Sequence, residues 1–355
     1  MKKNIAAIAL VLCFGVGIMT GCGKSGVEAD ASKNEDLSPK VTEENKVDDA
    51  ETAYLEFTAA KDKMEKGKNF SVISDSVMTM QSEGSTLESH QKTTVKKDAS
   101  GEKPLAEFEM TSASRAIDQD GTEDEALSTE ESRNGYFADD VFYLLMDTSG
   151  EKIKYDMTFD VIESMISVSY IYEGIDASQV ETAAVNETKD GKEYIFVLDK
   201  QMMSDFMLAN LAYSGMNVEE GSVDINYANI GAETDKDGLL RSYTLSIDAV
   251  IRNGGDEIPM QFNMASVIFD VDSTRVTQRS GDELSEYPTE EEYMEKYMQE
   301  MQDLNEIVPD NGAPALDENG EELPQAEEIE LTPENAEDYG LELEEGMEGA
   351  IKIGE

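Results

Sequence analysis

The chain has 355 residues, 78 of them acidic and 28 basic, and a formal net charge of −50. A surface that binds nucleic acid must be basic to displace counterions from phosphates, so this balance argues against nucleic acid as a partner. Both cysteines, Cys13 and Cys22, fall within the first 22 residues. We therefore expect the rest of the chain to fold around an ordinary apolar core, without disulfides or cysteine-bound zinc.

The first residues have the order of a secretory signal. Lys2 and Lys3 are followed by an almost purely apolar run over 5–18, which is shorter than the roughly 20 residues that a membrane-spanning helix needs. The end of this stretch, Met19-Thr20-Gly21-Cys22, resembles the lipobox of bacterial lipoproteins, although Met19 stands where Leu is usual. The alternatives are a plain cleaved signal peptide or an uncleaved anchor.

The lipobox resemblance implies cleavage before Cys22 and lipid attachment to its sulfur. A diacylglycerol supplies two acyl chains, which is enough for a stable anchor. Residues 1–21 are then the signal peptide, and the mature protein is held at the extracytoplasmic face of the cell membrane. Residues 22–49 are polar and lack apolar periodicity, which predicts a flexible tether.

The pattern over 50–287 predicts one α+β domain with an antiparallel sheet. A helix over 49–66 comes first, because apolar positions recur at helical spacing and Gly67 follows. Strand candidates then alternate with Gly, Asp and Asn turns. They cover 70–81, 90–96, 105–117, 135–147 as a hairpin, 153–157, 180–186, 193–198, 223–227, 243–251, 258–264 and 265–271.

Particular features refine this prediction. The hairpin over 135–147 turns at Ala138-Asp139-Asp140. A second helix fits 159–172, and Asp199 can cap a third helix that continues to Gly215. The alternation changes phase near Met264, which predicts a β-bulge there.

The chain beyond 287 differs in character. Thr289 and Glu292 form a capping box for an amphipathic helix over 288–308, expected to dock on the domain. The segment 309–355 is acidic and contains several prolines, which predicts disorder.

No motif supplies a catalytic centre, a metal site or a cofactor site. His90 is the single histidine, so neither a triad nor a histidine cluster can form. Acidic turns begin at Asp118, Asp235 and Asp317, but each lacks the glutamate that completes a calcium-binding EF-hand loop. The sequence therefore favours a protein that is not an enzyme, although unrecognised paired carboxylates remain an alternative.

Methionine is the unusual residue type, with thirteen between Met64 and Met264. Flexible, polarizable methionines suit a surface that adapts to apolar ligands, and they also fill cores. The third helix concentrates such residues, and it predicts a ligand cavity lined by Met202, Met203, Phe206 and Met207.

The arrangement over 50–287 resembles the LolA, LppX and LprG group of envelope lipid carriers, and uncharacterised Gram-positive lipoproteins of that fold. The features that carry the resemblance are the helix over 52–66, the strand over 70–80, the meander over 135–155, and Asp190-Gly191-Lys192-Glu193-Tyr194 before a strand and helix. The resemblance implies a strongly curved antiparallel sheet, a half-barrel, with helices over its concave face and an apolar cavity between them.

We therefore expect a membrane-anchored lipoprotein that binds a lipid or another apolar molecule without catalysis. The alternative is an envelope interaction or scaffold lipoprotein with a fully packed core and no ligand.

Overall fold

The computed structural model describes residues 28–33, 35–66, 69–82, 84–118, 120–124, 128–166, 175–213, 221–253, 256–307, 327–331 and 349–353. The chain divides into two compact units, 1–293 and 294–355. The predicted signal peptide and Cys22 lie outside the described residues.

Strands dominate the first unit. Its helices are α1 (Ala50–Glu65), α2 (Phe159–Ile166), α3 (Lys200–Tyr213), α4 (Gly281–Leu284) and the start of α5 (Glu290–Ile307). Its strands are β1 (Asn69–Ser82), β2 (Ser85–Asp98), β3 (Leu105–Asp118), β4 (Thr129–Ala138), β5 (Val141–Met146), β6 (Glu151–Asp156), β7 (Val180–Glu187), β8 (Gly191–Leu198), β9 (Val223–Asp235), β10 (Leu240–Asn253) and β11 (Asp256–Phe269).

All eleven strands form one open antiparallel sheet, in the order β6-β5-β4-β3-β2-β1-β11-β10-β9-β8-β7. The prediction of an α+β fold with an antiparallel sheet is confirmed. Strand β1 is central, and β6 and β7 form the edges. The β4–β5 turn was predicted correctly: Asp139 and Asp140 have φ of 54° and 60°, the left-handed values that a two-residue hairpin turn requires.

Helices α1 and α3 pack on one face of the sheet, which we call the inner face. Tyr54, Phe57 and Met64 of α1 join Phe196 of β8 in a large apolar cluster that extends from β3 through β1 and β11 to β7. Helix α1 begins after Asp49, whose carboxylate accepts a 2.9 Å hydrogen bond from the Thr52 amide. The Asp49 cap and the burial of apolar side chains along one side of the helix together explain why this segment is helical.

A smaller apolar cluster occupies the inner face of β2–β6. Phe108, Phe137 and Phe142 pack there with Ile162 of α2. The predicted helix over 159–172 is therefore confirmed for 159–166, and the remainder lies outside the described residues.

Hydroxyl groups interrupt the apolar surface on the inner face of the central strands. The Ser266 hydroxyl donates to Ser74 at 2.7 Å, and the Ser89 and Ser114 hydroxyls lie 3.2 Å apart. Tyr243 is buried beside the Ser266–Ser74 pair, and burial raises the pKa of its phenol to about 12. The two clusters still adjoin at one end of the central strands, where Val72 of the large cluster pairs with Val95 of the smaller one.

The opposite, outer face is crossed by residues 28–33 and 35–48, which we call the N-terminal strap. Ala29 and Ala31 are buried against Ile73 of β1 and Ala265 of β11. The Ala31 amide donates a 2.8 Å hydrogen bond to the carboxylate of Asp75. This contact holds the beginning of the strap over the centre of the sheet.

The strap then continues across β9 to the edge strand β7. Asn229 is fully buried; its amide donates to Asp36 at 2.9 Å, and its oxygen accepts from the Ser38 hydroxyl at 3.0 Å. At the edge, the Val47 amide donates to the Ala183 carbonyl at 3.0 Å. The prediction of a flexible tether over 22–49 is wrong for the described residues of the strap. Although their sequence lacks apolar periodicity, the hydrogen bonds to Asp75, Asn229 and Ala183 hold them on the sheet.

A second segment, residues 270–289, covers the outer face on the other side, and we call it the C-terminal strap. The side-chain amide of Asn69 donates a hydrogen bond to the Thr274 carbonyl at 2.9 Å, and the backbone amide of Arg279 donates one to the Tyr136 hydroxyl at 3.2 Å. At the edge strand β6, the Lys154 amide donates to the Pro288 carbonyl at 2.9 Å. Each strap therefore ends against one edge of the sheet.

The β-bulge predicted near Met264 is wrong. The register of β11 with β1 and with β10 runs through Met264 and Ala265 without a shift. Both residues are buried because Met264 faces the inner cluster and Ala265 lies under the N-terminal strap. The change of phase in the sequence marks a strand covered on both faces.

The capping box before α5 is confirmed. The Thr289 amide donates to the Glu292 carboxylate at 2.8 Å, and the Glu292 amide donates to the Thr289 hydroxyl at 3.2 Å. The docking predicted for this helix stays a prediction. Among the described helices, none combines the length and apolar character needed to cross a membrane.

In the second unit, Glu327–Leu331 (β12) pairs antiparallel with Gly349–Ile353 (β13). The prediction of disorder throughout 309–355 is therefore wrong for these two segments. Alternating apolar residues explain the pairing, with Ile329 opposite Ile351 within otherwise acidic sequence.

Candidate functional site

Helix α3 positions the four residues predicted to line a cavity. The Asp199 carboxylate accepts a 2.8 Å hydrogen bond from the Met202 amide, so Asp199 caps the helix as predicted. The Ser204 hydroxyl donates to the Val223 carbonyl at 2.7 Å and ties the helix to β9. The orientation of α3 on the inner face is thereby fixed.

The structure separates these four residues into two pairs. Met203 and Met207 are 1% and 5% exposed and belong to the large apolar cluster. Met202 and Phe206 are half-buried and line an open cleft. The first pair fills the core, while Met202 and Phe206 pack against the same cluster and leave part of their apolar surface exposed to the cleft.

The cleft has a volume of about 540 Å³ and lies between α3 and the chain that leads into β7. Its wall opposite α3 is a short 3₁₀ turn, Ala177–Gln179, capped by Asp176. The Asp199 amide donates to the Gln179 carbonyl at 2.9 Å and joins the two walls. The lining residues are Ser178, Gln179, Glu181, Asp199, Gln201, Met202, Asp205 and Phe206.

The rim of the cleft is acidic. Glu181, Asp199 and Asp205 all line it, and the Gln201 amide donates to Asp205 at 2.9 Å. Beside the cleft, hydrogen bonds from the Ser178 hydroxyl and amide hold the pKa of Asp176 below its ordinary value. The arrangement suits an apolar group seated on α3 with a neutral or positively charged end at the rim.

Among the described residues, no group of three or more His, Cys, Asp or Glu side chains is arranged to hold a metal ion. His90 lies on the outer face, where its Nε2 is 2.6 Å from Asp75, far along the sheet from α3.

The polar half of the cleft was not predicted from the sequence. Its 3₁₀ turn had one recognisable signal: Asp176 and Gln179 have the spacing of a capping box, and both of its hydrogen bonds form. Tyr54 is one of the apolar positions whose spacing predicts the first helix. It is 1% exposed and packs edge-on against Phe196 at 5.2 Å, and burial raises the pKa of its phenol.

Comparison with known proteins gives distant structural similarity. No family model and no curated protein matches the chain. Among solved structures, the chain is similar to LprF from Mycobacterium bovis, with 6% identity and a TM-score of 0.29, covering 66% of this chain and 98% of that one. A DUF1329 family protein from Desulfovibrio piger gives 10% identity and a TM-score of 0.22, with coverage of 66% and 96%.

A third similar structure is a beta-barrel-like protein of the DUF1849 domain from Brucella abortus. It gives 10% identity and a TM-score of 0.19, with 57% of this chain and 98% of that chain covered. The resemblance to envelope lipoproteins seen in the sequence thus has a counterpart among solved structures, although at these TM-scores the similarity adds no argument of its own.

Proposed function

We propose that this protein is a lipoprotein anchored through Cys22 at the extracytoplasmic face of the cell membrane, and that it binds a lipid or another apolar molecule without catalysis. The sheet is then a curved half-barrel, with the inner face as its concave side and the cleft on α3 as the ligand entrance.

The open cleft beside Met202 and Phe206 carries the binding proposal. An apolar side chain stabilises a bound ligand only through surface that is still exposed to water in the free protein. Each Å² of that surface that the ligand covers contributes about 25 cal/mol. Met203 and Met207 are already packed, so the ligand contacts come from the other two residues.

Ligand binding can be tested on purified mature protein. We expect native mass spectrometry to show copurified lipid, and an apolar fluorophore to bind with saturation. The double substitution of Met202→Ser with Phe206→Ser should weaken that binding at least several-fold. Leu55→Ser is the matched control, since Leu55 is an apolar residue 54% exposed on α1.

Two outcomes would contradict the binding proposal. The first is wild-type protein that carries no lipid and takes up no fluorophore, as the scaffold alternative requires. The second is equal loss of binding in the Leu55→Ser control, which would show that the fluorophore binds exposed apolar surface in general.

The anchor needs a separate test. The N-terminal peptide of the mature protein should begin at Cys22 and carry the added mass of a diacylglycerol. The Cys22→Ser variant should leave the membrane fraction. An unmodified thiol on Cys22 would refute the anchor and leave the cleft proposal unaffected.

A further inference from the structure

The N-terminal strap shortens the connection between Cys22 and the folded unit. Ala29 is 5% exposed and is the first buried residue of the described chain. It lies seven positions beyond Cys22, and a fully extended chain covers at most about 25 Å over that separation. A free tether reaching to Ala50 would span roughly 95 Å. The strap therefore removes most of the reach that the sequence predicted.

The strap also fixes which part of the sheet is near the anchor. Ala29 and Ala31 lie over the outer face of β1, the central strand, with five strand spacings to either edge. Each edge is therefore about 24 Å away. Asp75, which binds the Ala31 amide, is six residues from the beginning of β1, a distance of about 20 Å along the strand.

Only a fully extended connection brings the inner face to the bilayer. Ile73, which packs with Ala29 and Ala31, is four residues from the beginning of β1, so a chain leaving the strap would run about 13 Å to that strand end, or about 24 Å to an edge, and then pass the helix layer, whose diameter is about 10 Å. The shortest path is thus about 23 Å, which takes up nearly all of the roughly 25 Å that the connection can span. An orientation with the outer face toward the bilayer needs no such extension, and it therefore avoids the loss of conformational entropy in a fully stretched chain.

We propose that the N-terminal strap holds the outer face of β1 and β11 toward the bilayer that carries Cys22, so that the cleft on α3 opens away from that bilayer. This inference rests on the proposed lipid anchor. It deepens the binding proposal, because ligand exchange then takes place with a partner or carrier on the far side of the domain, and direct extraction from the home bilayer is disfavoured.

The orientation can be measured with chemically attached protein. The mature chain from Cys22 is coupled through its thiol to a maleimide lipid in vesicles whose headgroups carry an acceptor dye. A donor is placed on an azide-bearing amino acid at Lys92 or at Gln201. Lys92 is exposed on the outer face opposite Asp75, and Gln201 is exposed on α3 at the cleft.

We expect more efficient energy transfer to the bilayer from position 92 than from position 201. A flexible Gly/Ser insert of about 20 residues between Cys22 and Glu28 leaves every described contact intact and should lower transfer from position 92 and remove the difference. Asp75→Ala combined with Asn229→Ala should have the same effect by releasing the strap.

Equal transfer from the two positions in the unmodified chain, or greater transfer from position 201, would overturn the proposal. A difference that survives the insert would show that the strap does not set the orientation. Because coupling through the thiol is chemical, each result stands whether or not cells attach a lipid to Cys22, so failure of the anchor and failure of the orientation are distinguishable.

Discussion

The carboxylate of Asp75 accepts a 2.8 Å hydrogen bond from the backbone amide of Ala31, forty-four residues earlier in the chain. The carboxylate is 7% exposed, and His90 lies against its other oxygen at 2.6 Å. A single side chain of the central strand thus fastens the beginning of the N-terminal strap.

We expect Asp75→Ala to destabilise the protein by about 1–3 kcal/mol, because the buried Ala31 amide loses its acceptor. Chemical denaturation measures the loss, and hydrogen exchange should show faster exchange at Ala31. Asp75→Asn is the control: it keeps an acceptor oxygen and should preserve most of the protection at that amide. Unchanged exchange at Ala31 in the alanine variant would contradict this role.

Gly231→Ala should displace the middle of the strap. A Cβ at Gly231 would lie 2.7 Å from the Thr244 hydroxyl and 3.0 Å from Leu37 Cδ1, and both distances are shorter than ordinary contacts. Overpacking of this kind costs about 1–3 kcal/mol, which denaturant unfolding can measure. Adding Leu37→Ala removes one of the two clashes and should recover part of the loss. If the double variant loses as much free energy of unfolding as the two single variants lose together, Leu37 does not pack on Gly231.

Lys97→Met tests the junction of α1 with the sheet. Lys97 is 3% exposed, its Nζ donates to the Glu65 carbonyl at 3.0 Å, and it lies 5.3 Å from the centroid of the Phe70 ring. Methionine keeps the apolar stem and loses the charge at the helix C-terminus, so we expect a loss of about 1–3 kcal/mol in the free energy of unfolding.

Lys96→Met is the neighbouring control for that substitution. Lys96 is partly exposed on the outer face and pairs with Glu107 at 3.0 Å, a contact worth less than about 1 kcal/mol. Equal losses for the two variants would show that Lys97 contributes no more than a surface ion pair.

Asp235 should make the β9–β10 turn sensitive to acid. Burial raises the pKa of its carboxyl, but hydrogen bonds from the Leu239 amide and the Arg241 guanidinium outweigh burial and lower it overall. Its contribution is therefore fully present above the ordinary pKa of Asp, about 3.9, and is lost as pH falls through the lower pKa of the folded state. Asp235→Asn should flatten this part of a plot of unfolding free energy against pH, and an unchanged slope would contradict it.

Regular elements were predictable because their signals are local. The Asp139-Asp140 turn, the Asp199 cap and the Thr289–Glu292 capping box each depend on residues within four positions of one another. Period-two alternation likewise located most strands, although β4 begins before the predicted hairpin and β9 continues well beyond 227.

Contacts between distant segments were not predictable in this way. The N-terminal strap is held by Asp75 and Asn229, which lie far from it in the sequence, and its own residues follow no period. The predicted cavity illustrates the same limit. Helical spacing places Met202, Met203, Phe206 and Met207 on one helix, but only packing against β9 decides which of them are buried.

The endings of the two straps have a consequence for crowding. The backbone of Asn45 and Val47 forms hydrogen bonds with the edge strand β7, and the Pro288 carbonyl accepts one from the edge strand β6. An exposed border of a sheet is a template onto which another chain can add strands and begin a fibril. Because its own chain covers part of each border, this molecule limits such growth at high protein concentration, so removing either strap should favour aggregation before it abolishes the fold.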